Sequence, residues 1–231
     1  MNLKSKIQNP KSAGAFTLIE ILVVISIIAI LMGLILATAG YAMSRARRSR
    51  VEAERALLIT AIQSYKAAKG FYPQSNTNIL GMSPLFYELT GTTITLNNGT
   101  TPPSPASYSS TVSGDTLSAA NVSSIFGVSG FVNASPDPTQ VQNFLGATGK
   151  SARTGQITNP GVLFTVFGVI VPGPTQLPTV LGGAGNGSIS PWFYNSANPT
   201  NNPDSYDLWM DVYFSGKTNR ISNWSPTPQP Q

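Results

Sequence analysis

Residues Ala15 to Ser44 read AFTLIEILVVISIIAILMGLILATAGYAMS, and the fold turns on what this stretch is. From Ile21 to Ser44 it carries no charge. That run exceeds the roughly 20 apolar residues that cross a bilayer as a helix. One acid, Glu20, stands at its entrance. Lys4, Lys6 and Lys11 precede it, and Arg45, Arg47, Arg48 and Arg50 follow it. A cleaved signal peptide is one reading, with Ala37-Thr38-Ala39 as a small-residue cleavage site. The run is longer than the usual apolar core of about 7–15 residues, and an acid at its start has no use there. A plain anchor is a second reading. It leaves Glu20 unexplained, because an acid at the edge of hydrocarbon is costly without a partner and by default marks function. Ser26, Ala29, Gly33, Ala37 and Gly40 recur every three or four residues. That spacing puts small side chains on one face, as closely packed membrane helices require, although such residues are also common in any membrane helix.

Outward from this stretch, proline marks the next boundary. All eighteen prolines except Pro10 fall from Pro73 onward. The asymmetry predicts one long helix from about Phe16 to Ala68, roughly 80 Å at 1.5 Å per residue. Through Met43 it is apolar on every side, as a span is. Beyond Arg45 it becomes amphipathic: Val51, Leu58, Ile62 and Tyr65 recur at helical spacing, with Leu57 and Ala61 widening the stripe. Arg47, Arg48, Arg50, Glu52, Glu54 and Arg55 are expected mostly on the opposite, solvated side. Gly70 and Tyr72-Pro73 end the helix.

The remainder is mixed. Ser83-Pro84 followed by Leu85, Phe86 and Leu89 predicts a short capped helix. Gly91 to Gly114, rich in Thr, Ser, Gly, Asn and Pro, reads as a surface loop with one hairpin near Asn97-Asn98-Gly99. A further short helix is expected after Asp137-Pro138, over Val141, Phe144 and Leu145. Val162 to Val171 predicts a buried strand, and Gly182 to Ser188 a flexible loop. Asp207 to Phe214 alternates, with Leu208, Met210, Val212 and Phe214 on one face, and turns at Ser215-Gly216 into an antiparallel partner over Thr218 to Trp224. Ser225 to Gln231 reads as a loose tail.

Only 10% of residues are charged, against roughly 25% in ordinary soluble domains, so the surface is polar but uncharged. Net charge is +5. Three of the fourteen basic residues precede Ala15, leaving eleven against nine acids; no nucleic-acid binding is predicted from so weak an excess. The chain has neither cysteine nor histidine, which removes disulfides, thiol chemistry, the commonest general base and the commonest metal ligand. Gly182 to Gly187 lacks the Lys-Ser/Thr and the helix of a phosphate loop. The arginines after the span suit lipid headgroups or anionic partners as well as a solvated helix face.

Phe16-Thr17-Leu18-Ile19-Glu20, after a basic leader and before a long apolar run, resembles the class III signal of type IV pilins and type II secretion pseudopilins. The resemblance covers Ala13 to Ala42. It implies cleavage between Ala15 and Phe16 by a prepilin peptidase, with methylation of the new Phe16 amine. The residue before the cut is more often Gly in the family; Gly14 lies one position too early. The resemblance also implies pairing of Glu20 with the Phe16 ammonium of a neighbouring subunit, so that both charges are tolerated in an apolar bundle. Where many members carry a helix-loosening proline, this chain has Ala37.

Lys66 to Gln74 (KAAKGFYPQ) is similar to the helix-to-domain junction of the major pseudopilin. Pro191-Trp192, Tyr194, Ser205-Tyr206-Asp207-Leu208 and Asn223-Trp224 are similar to its closing run, with Phe193 in place of the usual Gly. Those pseudopilins hold calcium with aspartates, which makes Asp204, Asp207 and Asp211 candidate ligands, oxygen donors being what a hard cation takes. The family's acidic Gly-rich loop is absent here, its place taken by Ser215-Gly216-Lys217-Thr218, and solvated strand acids are the simpler reading.

Together these observations predict an α+β, pilin-like chain. It comprises a leader over 1–15, a transmembrane and assembly half-helix over 16–44, an amphipathic half over 45–70, a globular domain over 71–224 with a small antiparallel sheet and long loops, and a tail over 225–231. The expected protein is a non-enzymatic filament subunit, either a secretion pseudopilin or a surface pilin for adhesion, motility or DNA uptake. Its expected partners are the prepilin peptidase, the inner-membrane assembly machinery, membrane lipid, further copies of itself and other pilin-like subunits. Its expected place is the bacterial inner membrane, single-pass, with a cytoplasmic amino terminus and a periplasmic globular domain. A membrane-anchored glycan-binding module, using exposed Trp192, Trp209 and Tyr213, is the alternative from another class.

Overall fold

The computed structural model describes residues 17–76, 79–146, 154–158, 161–174, 177–178, 188–214 and 216–231. The leader, the Ala15-Phe16 junction and the glycine-rich loop over 182–187 lie outside these. The chain divides into two compact units, Met1–Met43 and Ser44–Gln231.

The first unit contains the start of helix α1, which spans Leu18–Lys69 and continues unbroken through position 37. Its apolar side chains from Leu18 to Ile35 are all exposed, Leu18 at 83% and Ile30 at 66%. Among the described residues this is the one helix long and apolar enough to cross a membrane.

In the second unit α1 behaves as the amphipathic stripe predicts. Val51, Leu58, Ile62 and Tyr65 are completely buried, Ala61 nearly so, and Leu57 packs against the same core. Two residues assigned to the solvated side are not there. Glu54 is buried, and Arg55 donates from Nη1 to the Ser222 and Ser225 carbonyls at 2.7 and 3.2 Å. Gly70 ends the helix at φ +87°, its amide closing on the Lys66 carbonyl; only glycine adopts that conformation without strain.

Helix α2, Leu85–Thr90, is buried along its whole length. Pro84 occupies the cap position, and the Ser83 hydroxyl accepts from the Leu85 amide. The hairpin expected near Asn97-Asn98-Gly99 forms, β1 (Thr92–Asn97) pairing with β2 (Ser104–Ser110), but the rest of the stretch expected to be loop extends it into a sheet with β3 (Thr116–Ser118) and β4 (Ala134–Ser135) in the order β3-β2-β1-β4. Thr93, Thr95, Ser107 and Ser109 face outward while Tyr108 and Leu117 point into the core. Strand alternation was present but diluted by serine, so composition disguised it. Helix α3, Ala119–Phe126, is capped by Ser118, which accepts from the Asn121 amide. After Asp137 only a single 3-10 turn forms, Pro138–Gln140, so Phe144 and Leu145 reach the core without a helix.

A second sheet has the order β5-β6-β8-β7, from Thr154–Thr158, Leu163–Val169, Ser188–Pro191 and Leu177–Pro178. From Phe164 to Val169 strand β6 is buried. A third sheet, β12-β11-β10-β9, carries β9 (Phe193–Asn195), β10 (Asp207–Phe214), β11 (Lys217–Ser222) and β12 (Gln229–Pro230). The expected antiparallel β10–β11 hairpin forms, with Trp209 opposite Ser222 through Phe214 opposite Lys217. The carboxy-terminal residues, expected to be loose, add β12 to the edge of β11, and the Gln231 amide bonds the Thr218 carbonyl at 3.0 Å. Apart from the parallel β1–β4 contact, all these pairings are antiparallel.

Candidate functional site

The functional candidates begin at the first turn of α1. The Glu20 carboxylate accepts from both the backbone amide and the hydroxyl of Thr17, each at 2.8 Å. The Thr17 hydroxyl in turn accepts from the Glu20 amide at 3.3 Å. This is a capping box: two amides that lack a partner at a helix start are satisfied reciprocally. The signal was legible as Thr-x-x-Glu before an apolar run, and the family-based reading of Glu20 passed over it. Within the small-residue face, the Ser26 hydroxyl donates to its own helix at the Leu22 carbonyl, while Gly33 and Gly40 have open space where a Cβ would stand. The first unit thus offers an apolar rod with small notches and one carboxylate at its head.

Residues 10–36 match the family model of the prokaryotic N-terminal methylation motif. No curated protein and no solved structure matches the chain.

In the globular unit, the two stretches that resemble a pseudopilin meet. The Pro73 carbonyl accepts from the Tyr194 hydroxyl at 3.0 Å and the Ser196 hydroxyl at 2.7 Å. Tyr72 packs edge-on against Tyr206, centroids 5.0 Å apart, and its hydroxyl accepts from Ser205. Lys66 lies 4.1 Å over the Tyr72 ring. The Ser205 bond, seconded by Lys66, holds the Tyr72 phenol below its ordinary range. Asn223 closes the arrangement: its Oδ1 accepts from the Leu208 amide at 2.9 Å and its Nδ2 donates to the Tyr206 carbonyl at 2.8 Å. The helix end is therefore pinned to the carboxy-terminal sheet by bonds that neither stretch could make alone.

The candidate calcium ligands are not assembled. Buried Asp207 accepts from the amides of Thr200, Asn201 and Asn202 at 2.8–3.0 Å, and from the side-chain amides of both asparagines. Its lone pairs face N–H donors, which point positive hydrogens where a cation would sit. Asp211 is forked onto Arg220, at 2.8 and 2.9 Å. Asp204 is exposed. Among the described residues no three His, Cys, Asp or Glu side chains converge as a metal site.

The glycan-binding alternative loses its first aromatic, since Trp192 is only 2% exposed. Trp209 is half-buried, stacked on Phe193 at 5.3 Å and met edge-on by Trp224. Of the three, Tyr213 alone is exposed.

One acid missed by sequence reasoning organises the core. Glu88 is completely buried. Its carboxylate accepts from the Tyr65 hydroxyl at 2.8 Å, Gln74 Nε2 at 3.1 Å, and the amides of Val132 and Asn133 at 2.9 and 3.1 Å. Four donors from three segments replace the water that the charge has lost. The hint was an acid inside the apolar run Leu85-Phe86-Tyr87-Glu88-Leu89; nothing in sequence pointed to Asn133. Beside it, Tyr87 donates to Asp115 and accepts from the Thr165 amide.

Proposed function

We propose that this chain is a structural, non-enzymatic subunit of a pilus-like filament, specifically a pseudopilin of a type II secretion system. It is cleaved between Ala15 and Phe16 and methylated on the new amine. The observation that carries this is the methylation motif at the head of a helix whose apolar side chains from Leu18 to Ile35 are exposed, with Glu20 the single charge between Leu18 and Ser44. Such a surface needs lipid before assembly and neighbouring helices after it. Glu20 then registers each incoming subunit by meeting the Phe16 ammonium of its neighbour, exchanging part of its bonding to Thr17 for a charge pair.

The pseudopilin choice is supported by the meeting of Lys66 to Gln74 with the Tyr194 to Asn223 run. The subunit sits in the bacterial inner membrane with its amino terminus in the cytoplasm and its globular unit in the periplasm. There the peptidase, the assembly machinery and further pilin-like subunits act on it. A surface pilin is the second reading, favoured by the exposed, uncharged hairpin tip between Asn97 and Ser104.

Mass spectrometry of the mature chain tests the processing. A methylated start at Phe16 is expected, and a start at Gly40 would restore a signal peptide. Deleting the gene separates the two filament readings. Loss of an exported protein without loss of sheared surface filaments supports the pseudopilin, and the converse supports the pilin.

A further inference from the structure

We propose that Arg45, Arg47, Arg48 and Arg50 form a collar that binds the phosphates of anionic phospholipid headgroups at the membrane surface where the apolar run ends. The two arginines built into the globular unit show what a structural role looks like. Arg55 bonds two carbonyls, and Arg220 forks onto Asp211. Upstream, only Arg48 has an acid, Glu52 at 2.8 Å. Among the described residues Arg45, Arg47 and Arg50 meet no carboxylate within ion-pair distance, and Arg45 and Arg50 are exposed. Internal acids are largely engaged elsewhere: Glu88 and Asp207 by N–H and O–H donors, Asp115 by Tyr87, Asp211 by Arg220.

The arrangement is a ring and not a stripe. At about 100° per residue, the four guanidinium stems leave the helix near 0°, 200°, 300° and 140°. A protein groove would be met by one side of the helix; a surface that the helix threads is met by all sides. Tyr41, 71% exposed, lies one turn before Arg45, and a ring with a polar tip is what collects at headgroup depth. Guanidinium groups match phosphate oxygens in pairs, and each cation near an anionic surface is attracted appreciably. The inference rests on the membrane orientation proposed above. It also accounts for four cations on the side that short flanking segments usually leave poor in them. Because all three lysines precede Phe16, leader removal leaves the collar as the only cationic side chains flanking the span. The collar then holds the subunit at its depth until assembly withdraws it.

The test uses the full chain in lipid nanodiscs of phosphatidylethanolamine and phosphatidylglycerol in equal parts, with retained lipids counted by native mass spectrometry. The wild-type chain is expected to retain phosphatidylglycerol over phosphatidylethanolamine by about tenfold. The R45Q/R47Q/R50Q variant is expected to fall to near parity, and K217Q, an exposed cation outside the collar, to behave as wild type. Parity in the wild type, an unchanged triple variant, or an equal loss in K217Q overturns the collar. Resistance to carbonate extraction, measured on the same samples, separates the failures. A chain that inserts but shows no lipid preference refutes only the collar, whereas one that is washed out refutes the membrane reading and the collar with it.

Discussion

The two halves of α1 share one backbone and meet opposite fates. From Leu18 to Ile35 the apolar side chains are exposed, and Thr17 bonds Glu20 and Ser26 bonds Leu22 within the helix itself. From Val51 to Tyr65 a stripe is fully buried, and Tyr65 reaches the buried carboxylate of Glu88. One acid matters to each half, Glu20 at the head of the first and Glu88 of α2 packed against the second, and the contrast lies in what surrounds it. Glu88 is satisfied by four donors of its own chain. Among the described residues Glu20 accepts only from Thr17, in the cap of its own first turn, and it is exposed. The second half is thus packed within its own unit, whereas the first half leaves its apolar side chains exposed, which is where the proposed filament contacts would form. Substitutions in the second half should therefore damage folding, and substitutions in the first should damage assembly with folding intact.

The harshest way to break this contrast is Glu88→Ala. Tyr65, Gln74 and two backbone amides would be left as buried donors without an acceptor, each costing about 1–3 kcal/mol, partly offset by relief of the buried charge. A net loss of about 3–5 kcal/mol is expected, much of the 5–15 kcal/mol by which domains are stable. Urea unfolding of the full chain in detergent would read it. Glu88→Gln should also destabilise, because its NH2 would face donors. A midpoint unchanged in both variants would remove Glu88 from its central role.

Glu20 provides the converse. Glu20→Ala should leave membrane insertion and the unfolding midpoint of the globular unit unchanged while abolishing sedimentable filaments. Glu20→Gln separates two roles that the alanine variant merges, since glutamine preserves the capping box with Thr17 but carries no charge. Filament yield near wild type in Glu20→Gln would show that the cap suffices. Yield as low as in Glu20→Ala assigns the effect to the charge.

What the sequence disclosed follows from the range of the forces involved. The long helix, its stripe of Val51, Leu58, Ile62 and Tyr65, and the β10–β11 hairpin are local sequence signals, each within one element or one hairpin, and each appears where expected. The Gly91 to Gly114 strands were obscured because their outward positions are Ser and Thr, which also mark loops. The Asp207 clamp and the Glu88 cluster depend on partners that only folding brings together: Thr200 and Asn201 for one, Val132 and Asn133 for the other. Counting aspartates close in sequence therefore suggested a cation where the chain supplies N–H groups. Glu20 lay between these cases. Its cap was written in the sequence, and its proposed partner belongs to another molecule.

A milder probe uses the buried phenols of the globular unit. Burial, and then the nearby Glu88 charge, push the Tyr65 hydroxyl far above its ordinary range; burial and Asp115 do the same to Tyr87, and burial to Tyr194. Burial pushes Tyr206 up to about 12. In every case the folded state holds the proton more tightly than an unfolded tyrosine, which ionises near 10. Stability from these groups is therefore fully present below about pH 10 and falls as pH rises beyond it, the unfolded chain releasing protons first. The unfolding temperature should be flat from about pH 7 to 9 and drop steeply above 10, less steeply in Tyr206→Phe. A decline already under way at pH 8 would mean that the phenols are not the groups responsible.

The smallest expected effect concerns calcium, and its smallness is informative. Asp207 already accepts three backbone amides and two asparagine side chains, and Asp211 is held by Arg220. For a cation to bind, those N–H groups would have to turn away and the Asp211–Arg220 fork would have to open. Either change gives up charge-assisted bonds in return for ligation by few carboxylates, fewer oxygens than calcium usually takes. Millimolar calcium should accordingly move the unfolding temperature of the full chain by less than about 1 °C, since a ligand stabilises only in proportion to its occupancy of the folded state. Asp207→Asn sharpens the test. It places an NH2 against the amides of Thr200 and Asn201, so it should lower the midpoint equally with and without calcium. A calcium-dependent rise in the wild type that Asp207→Asn abolishes would show that the loop over 200–202 rearranges to ligate, and that this part of the globular unit is completed by a group from outside the chain.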